Sequence, residues 1–234
     1  MQPYFFPYIG YFQLIAAVDR FVILDDVNFI KRGWINRNRI LINASPCWLS
    51  IPVANISQFR RISEHTCCDR PWRQKMLRSI EMAYRRAPFF EEAYSVIAPI
   101  LANRQNDLAT YLADGIVALA RALAITADVV TTSRNYANGH LHGQDRIIAI
   151  CRQEGASQYI NAEGGQDLYA ESAFAAVGMS LSFVATTVEP YSQLSPAFIG
   201  RLSVIDMLMN IGIQGTKAQL NSFRLLPGSP DSRQ

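Results

Sequence analysis

Residues 25–39, DDVNFIKRGWINRNR, carry the side chains best suited to chemistry. Two adjacent carboxylates, Asp25 and Asp26, close the apolar run Phe21-Val22-Ile23-Leu24. A carboxylate there can act as a general base or hold Mg²⁺ with substrate phosphates. Lys31, Arg32, Arg37 and Arg39 follow, with Trp34, Asn36 and Asn38 among them. Guanidinium groups grip phosphate or carboxylate in a bidentate fork. Neighbouring residues of a strand point to opposite faces, so Asp25 and Asp26 share a ligand only if the strand ends between them. Asp25, Asp26 and Lys31 are the candidate catalytic residues, and Asn36, Arg37, Asn38 and Arg39 the candidate anion binders. The plainer readings are a strand-end turn capped by an aspartate and a solvated edge protected by charge.

Other stretches offer less. Tyr8 and Tyr11, from an aromatic set that also holds Tyr4, Phe5, Phe6 and Phe12, can line a pocket, although such residues are mostly core. Glu163-Gly164-Gly165-Gln166-Asp167 reads as a strand-to-helix turn. Its N–H groups could cradle an anion, with Glu163 and Asp167 beside it, or Asp167 could simply cap the helix. His140 and His142 lack a full ligand set, so no metal site is assigned. No nucleophile stands out, and no dinucleotide fingerprint is present. The sequence names no cofactor.

An apolar run ending in acids reads as a buried strand, and open α/β sheets collect ligands beyond the carboxyl ends of their strands. The other elements fit that scheme. Gly10–Val18 is a helix candidate, Arg39–Ile42 and Cys47–Val53 form a hairpin, and residues 71–125 carry three helices as an insertion. Strands at 128–131, 158–161 and 180–185 then alternate with helices at 143–154 and 168–177, and 204–211 is a final helix. The strand expected before the first helix is missing, so either Met1 is not the natural start or the fold closes differently there. The predicted fold is α/β: a mostly parallel, Rossmann-like sheet flanked by helices, in one domain over 1–226, with a disordered tail at 227–234.

Composition sets outer bounds. Half of the 234 residues are hydrophobic and 18% are charged, enough for a substantial core. A net charge of +3 argues against a dedicated polyanion binder. The basic helix from Trp72 to Arg86 reads as a solvated face rather than a nucleic-acid surface. No apolar run is long enough to span a membrane. The four cysteines, two of them vicinal, fit a reduced, cytoplasmic setting.

The stretches QPYFFPYIGYFQLI, DRFVILDDVNFIKRGWINRNRI, LSIPV, WRQKMLRSIEMAYRRAPFFEEAY, YINAEGGQD and LSVIDMLMNIG resemble the WbqC-like protein family over nearly the whole chain. That family is named from a gene in a bacterial O-antigen cluster, so the resemblance implies surface-polysaccharide or modified-sugar biosynthesis and supplies no reaction. The chain departs from it at Met1-Gln2-Pro3, at Asn161-Ala162-Glu163 and in the shortened loop at Tyr191. The opening also resembles HIGH-type nucleotidyltransferases in topology. There Tyr8-Ile9-Gly10-Tyr11 would stand in the place of the His-x-Gly-His turn, without its positive charge. The expected function is a group transfer, in a possible transferase, on a small anionic or nucleotide-linked metabolite. The alternative is a non-catalytic binding or assembly protein of a glycan pathway. Oligomeric state stays open.

Overall fold

A computed structural model describes residues 1–228. Pro7 precedes α1 (Ile9–Ala16), which is apolar on nearly every side and is buried from Ile9 to Ile15. A helix hydrophobic all round belongs inside a protein. Gln13, its one polar side chain in that buried run, donates from Nε2 to the carbonyls of Gln219 (2.8 Å) and Ser222 (3.0 Å), and so ties the C-terminal segment to the helix.

α1 leads to β1 (Arg20–Val22), which pairs in parallel with β4 (Asp128–Val130). On the other side of β1, Met1 donates its ammonium to the Val22 carbonyl at 2.6 Å and accepts from Leu24 N at 2.8 Å. Met1 thus stands where the missing strand was expected. Burial there lowers its ammonium pKa to about 5. β2 (Arg37–Ile42) and β3 (Ser45–Ser50) form the predicted hairpin, with Asn43 and Ala44 both at positive φ in the two-residue turn.

The three helices of the insertion are α2 (Trp72–Tyr84), α3 (Phe90–Ala102) and α4 (Leu108–Ala122). Asp107 caps α4 by accepting from Thr110 N at 2.8 Å. α5 (Gly143–Gln153) follows β4. Then come β5 (Gln158–Ala162), α6 (Glu171–Ala175), β6 (Ser180–Thr186), α7 (Val204–Ala218) and β7 (Phe223–Pro227). α7 packs on α3 and breaks its helical geometry at Gly212, where φ is +70°. A Cβ there would sit 2.5 Å from the Phe89 ring, so only glycine fits.

The strands do not merge into the predicted mostly parallel sheet. They form a parallel pair β1–β4, the antiparallel hairpin β2–β3, and a three-stranded sheet β5–β6–β7 with β7 antiparallel. β1 and β4 are three residues each and, among the named strands, pair only with one another. The expected strand-to-helix turn is a 3₁₀ turn, Glu163–Leu168, and the helix expected at 168–177 is shortened to α6. β7 was not expected at all. It includes Pro227, and Gly228 donates to the Leu181 carbonyl, so ordered pairing enters the predicted tail; 229–234 lie outside the described residues. All four cysteines are free, and no described helix is long and apolar enough to cross a membrane.

A buried carboxylate locks α2 and α7 to the hairpin. Asp206 accepts from Tyr84 OH (2.8 Å), Tyr191 OH (2.8 Å) and Gln193 Nε2 (2.7 Å), while Tyr84 OH accepts from Leu41 N. Burial raises the Asp206 pKa, and the donors from Tyr191, Tyr84 and Gln193 only partly offset it. A raised acid favours its protonated form in the native state. Its contribution to stability is therefore present at low pH and lost as pH rises through the folded-state value. Tyr84→Phe should cost about 1–3 kcal/mol in urea unfolding at neutral pH, because Leu41 N–H loses its acceptor and Asp206 a donor. The deficit should shrink as the pH is lowered through the Asp206 titration, and a pH-independent deficit would show that the carboxylate is not involved.

Candidate functional site

In a parallel pair both carboxyl ends lie on one edge. Ile23 N still bonds to the Val130 carbonyl at 2.9 Å, so the ladder ends just before the acids. Both carboxylates then turn toward the chain leaving β4, meeting the condition under which Asp25 and Asp26 can share a neighbour. Asp25, 1% exposed, accepts from Thr132 Oγ1 at 2.9 Å and Ser133 N at 2.9 Å. Arg134 Nε lies 3.0 Å from its other oxygen. Asp26 accepts from the Ser133 hydroxyl, and one nitrogen of the buried Arg146 guanidinium reaches both its oxygens at 2.6 Å. Burial works to raise the Asp26 pKa, but the hydrogen bonds from Arg146 and Ser133 outweigh it and hold the acid below its usual value.

The loop between β4 and α5 completes the shell. Asn138 is buried, and its Oδ1 accepts from Arg146 Nε at 3.2 Å. Its Nδ2 has no partner among the described residues. A buried amide donor left open costs free energy unless something accepts from it. Gly139 comes next. A Cβ built there would lie 3.9 Å from Asp26 Oδ2 and 3.7 Å from an Arg61 guanidinium nitrogen, so Arg61 stands across from the acid without pairing to it. Arg146 lies in the first turn of α5, whose leading N–H groups carry partial positive charge. The arrangement is an ionised acid braced by Ser133 and Arg146, with the exposed Arg61 beyond Gly139, the buried and unpartnered Asn138 Nδ2 beside Arg146, and Arg134 paired to the neighbouring Asp25. Such a set suits an anionic ligand.

The rest of the 25–39 stretch goes elsewhere. Lys31 is exposed and makes no ion pair among the described residues. Arg37 donates from Nε to the Gly33 carbonyl at 3.1 Å and stacks 4.0 Å over Trp48, while Arg39 lies 5.8 Å over Trp34. Asn36 donates to the Ile51 carbonyl at 2.9 Å, and the buried Asn38 donates to Phe6 and Phe5 at 2.8 and 3.2 Å, holding the hairpin against the N-terminal segment. The expected single cavity of acids and guanidiniums thus separates: Arg37 is taken up by carbonyls and an indole, and Arg39 lies near Trp34 with its buried Nε unpartnered among the described residues.

The remaining candidates scatter too. Tyr11 is buried and donates to the Gln2 carbonyl at 2.9 Å, and the Tyr8 ring packs on Gly10. Glu163 and Asp167 are exposed on the 3₁₀ turn after β5, with no side-chain hydrogen bond among the described residues. His65 is structural: its Nε2 accepts from Ser57 N, its Nδ1 meets the Arg61 carbonyl and its ring lies 4.8 Å from Phe29. No group of three or more His, Cys, Asp or Glu comes together among the described residues. Ser133, Arg134, Asn138, Arg146 and Arg61 escaped the sequence reading. The rule applied to the end of β1 would have found Ser133 and Arg134 had it also been applied to β4.

Comparison with known proteins agrees with the segment order. The model of the WbqC-like protein family matches residues 2–218. The uncharacterized protein Rv1507c of Mycobacterium tuberculosis is 28% identical, over 92% of this chain and 93% of its own length. No solved structure matches the chain.

Removing one partner of a buried ion pair strands the other. Arg146→Ala should therefore destabilise the fold by about 3–5 kcal/mol in denaturant unfolding. The lowered Asp26 pKa adds stability above the ordinary aspartate range that is lost as pH falls through the folded value. In Asp26→Asn the acid limb of the stability–pH curve should accordingly be flatter than in the wild type. An unchanged limb would remove Asp26 from the groups that set it.

Proposed function

We propose, for a chain that belongs to the WbqC-like protein family, an enzyme of surface-glycan or modified-sugar biosynthesis that transfers a group on an anionic or nucleotide-linked metabolite. The observation that carries the reading is a buried, ionised carboxylate beyond the parallel strands with an unpaired guanidinium, Arg61, across Gly139 from it and a buried amide, Asn138 Nδ2, without a partner among the described residues. In this reading Arg61 and Arg134 hold the phosphate or carboxylate, Asn138 orients it, and the N-terminus of α5 adds its partial charge. Asp26, with Ser133 and Arg146, fixes the geometry and accepts a hydrogen bond from the ligand, and Asp25 holds the Ser133 end of the site in place. Lys31, exposed in the loop before the hairpin, has no role in this reading.

A second reading is a binding or assembly protein without turnover. It is favoured by the occupation of both carboxylates: Asp25 and Asp26 are each met by several donors of the protein itself. A saturated carboxylate is a poor proton acceptor, whereas it makes a stiff wall for a ligand pocket.

Thermal shift against sugar phosphates, nucleotide sugars, nucleotides and inorganic phosphate tests the site. A ligand at about 100 times its Kd adds about 2.7 kcal/mol, or roughly 5–10 °C for a chain of this size. Arg61→Ala alters an exposed group and should cost about 1 kcal/mol or less in stability, whereas Arg134→Ala also removes the cation beside the buried Asp25 and should cost more. Each should abolish most of the ligand-induced shift. An unaltered shift in both variants would move the anion site elsewhere. Binding without conversion of any bound compound would favour the second reading.

A further inference from the structure

Residues 27–63 contain Lys31, Arg32, Arg37, Arg39, Arg60 and Arg61 and no aspartate or glutamate. The segment therefore carries +6, and the remainder of the chain, with 16 cations against 19 acids, carries −3. The mild net charge hides a strongly polarised molecule. The ion pairs among the described residues use Arg20, Arg134 and Arg146, and none of these six. Among the described residues, none of the six is paired to a carboxylate.

The same segment exposes large apolar side chains. Of the ten exposed large hydrophobics among the described residues, five lie here: Ile30, Trp34, Trp48, Ile56 and Phe59. Phe59 is 84% exposed, Ile30 52% and Trp48 50%. Four of them fall into two pairs joined by a short turn. Asn28 bridges to Arg61 in antiparallel register, and Phe29 N bonds to the Arg60 carbonyl at 2.9 Å, which brings Ile30 beside Phe59. The turn closed by Gly33 N and the Ile30 carbonyl carries the chain on to Trp34, whose ring lies 5.6 Å from that of Trp48. Scattered exposed hydrophobics are ordinary, but a contiguous apolar patch ringed by uncompensated cations marks an interaction surface.

We propose that this face docks on an anionic lipid membrane, with Phe59, Ile30 and the two tryptophans seated in the interface and Lys31, Arg32 and Arg60 on lipid phosphates. Tryptophan and phenylalanine settle at the boundary between headgroups and acyl chains, and Lys and Arg stems lie along the apolar surface while their charges reach the headgroups. The charge complements a lipid surface rich in acidic headgroups. A nucleic-acid strand fits the geometry less well. Base stacking needs free ring faces, and the Arg37 guanidinium already covers one face of Trp48 at 4.0 Å. Two of the five apolar groups are isoleucines, which offer nothing to stack on. Arg61 belongs both to this face and to the mouth of the acid-pair site, so a docked protein would hold that mouth close to the lipid.

Vesicle flotation of the full chain tests the proposal. The protein should float with phosphatidylcholine vesicles containing about one-third phosphatidylglycerol and stay behind with pure phosphatidylcholine at about 0.1 M salt. Tryptophan emission should shift to the blue on binding. Phe59→Ser and the pair Lys31→Glu/Arg32→Glu should each weaken vesicle affinity at least about tenfold, with an unchanged thermal midpoint showing that the fold is intact. Failure of the wild type to float with either vesicle overturns the proposal, as does wild-type affinity in Phe59→Ser. A single-stranded oligonucleotide that binds more tightly than the vesicles and displaces them would assign the surface to nucleic acid instead.

Discussion

The contact on which the candidate site depends is the buried pair of Asp26 and Arg146. The two residues lie 120 positions apart and come from the end of β1 and the first turn of α5. Taking both charges out of water is expensive, and an apolar pair of similar size would often serve stability as well or better. The geometry makes the charges tolerable here. One guanidinium nitrogen reaches both carboxylate oxygens, Ser133 donates a further hydrogen bond, and Asn138 accepts from the remaining edge of Arg146. The loop between β4 and α5 is therefore fixed by the pair at both of its ends, and the residues that face a ligand inherit that rigidity.

A different buried acid shows what the same residue type does without a cation. Among the described residues Asp206 has no guanidinium or ammonium beside it, and accepts from two phenols and an amide. Burial wins there and the pKa rises, whereas at Asp26 the hydrogen bonds win and the pKa falls. The contrast separates their roles. Asp206 binds helix α7 to α2 and, through Tyr84, to the hairpin, a task that hydrogen bonds can do at either protonation state. Asp26 keeps its charge, which a structural hub would not need.

Much of the fold was legible because local patterns decided it. The helix period in α2, α3 and α4 agrees with their burial, and Asn43-Ala44 between apolar runs gives the hairpin. The strands at 128, 158 and 180 also fall where alternation puts them. Long-range pairing was not legible. Nothing in Asp25-Asp26 says whether its cations come from Arg37 and Arg39, a few residues on, or from Arg134 and Arg146 far along the chain. Proximity in sequence favoured the first, and the hairpin removed it by giving those guanidiniums carbonyls and indoles as partners. β7 was missed for a related reason: FRLLP is short and ends in proline, so only its pairing with β6 makes it a strand.

The residues displaced from the acid pair still bear on function. Lys31, Arg32, Arg37 and Arg39 leave Asp25 and Asp26 to other partners and stand with Arg60 and Arg61 in an acid-free segment, so their positive charge accumulates on one side of the chain. Had they neutralised the two aspartates, the charge asymmetry would be far weaker and the exposed Trp34, Trp48 and Phe59 would be isolated hydrophobics needing no explanation. The long-range choice of partner at Asp26 thus sets two properties together: a stiff acidic wall inside the molecule, and an uncompensated basic and aromatic face outside it. Arg61 lies where the two meet, opposite Asp26 across Gly139 and bridged through its backbone to Asn28, in the segment that carries Phe29 and Ile30.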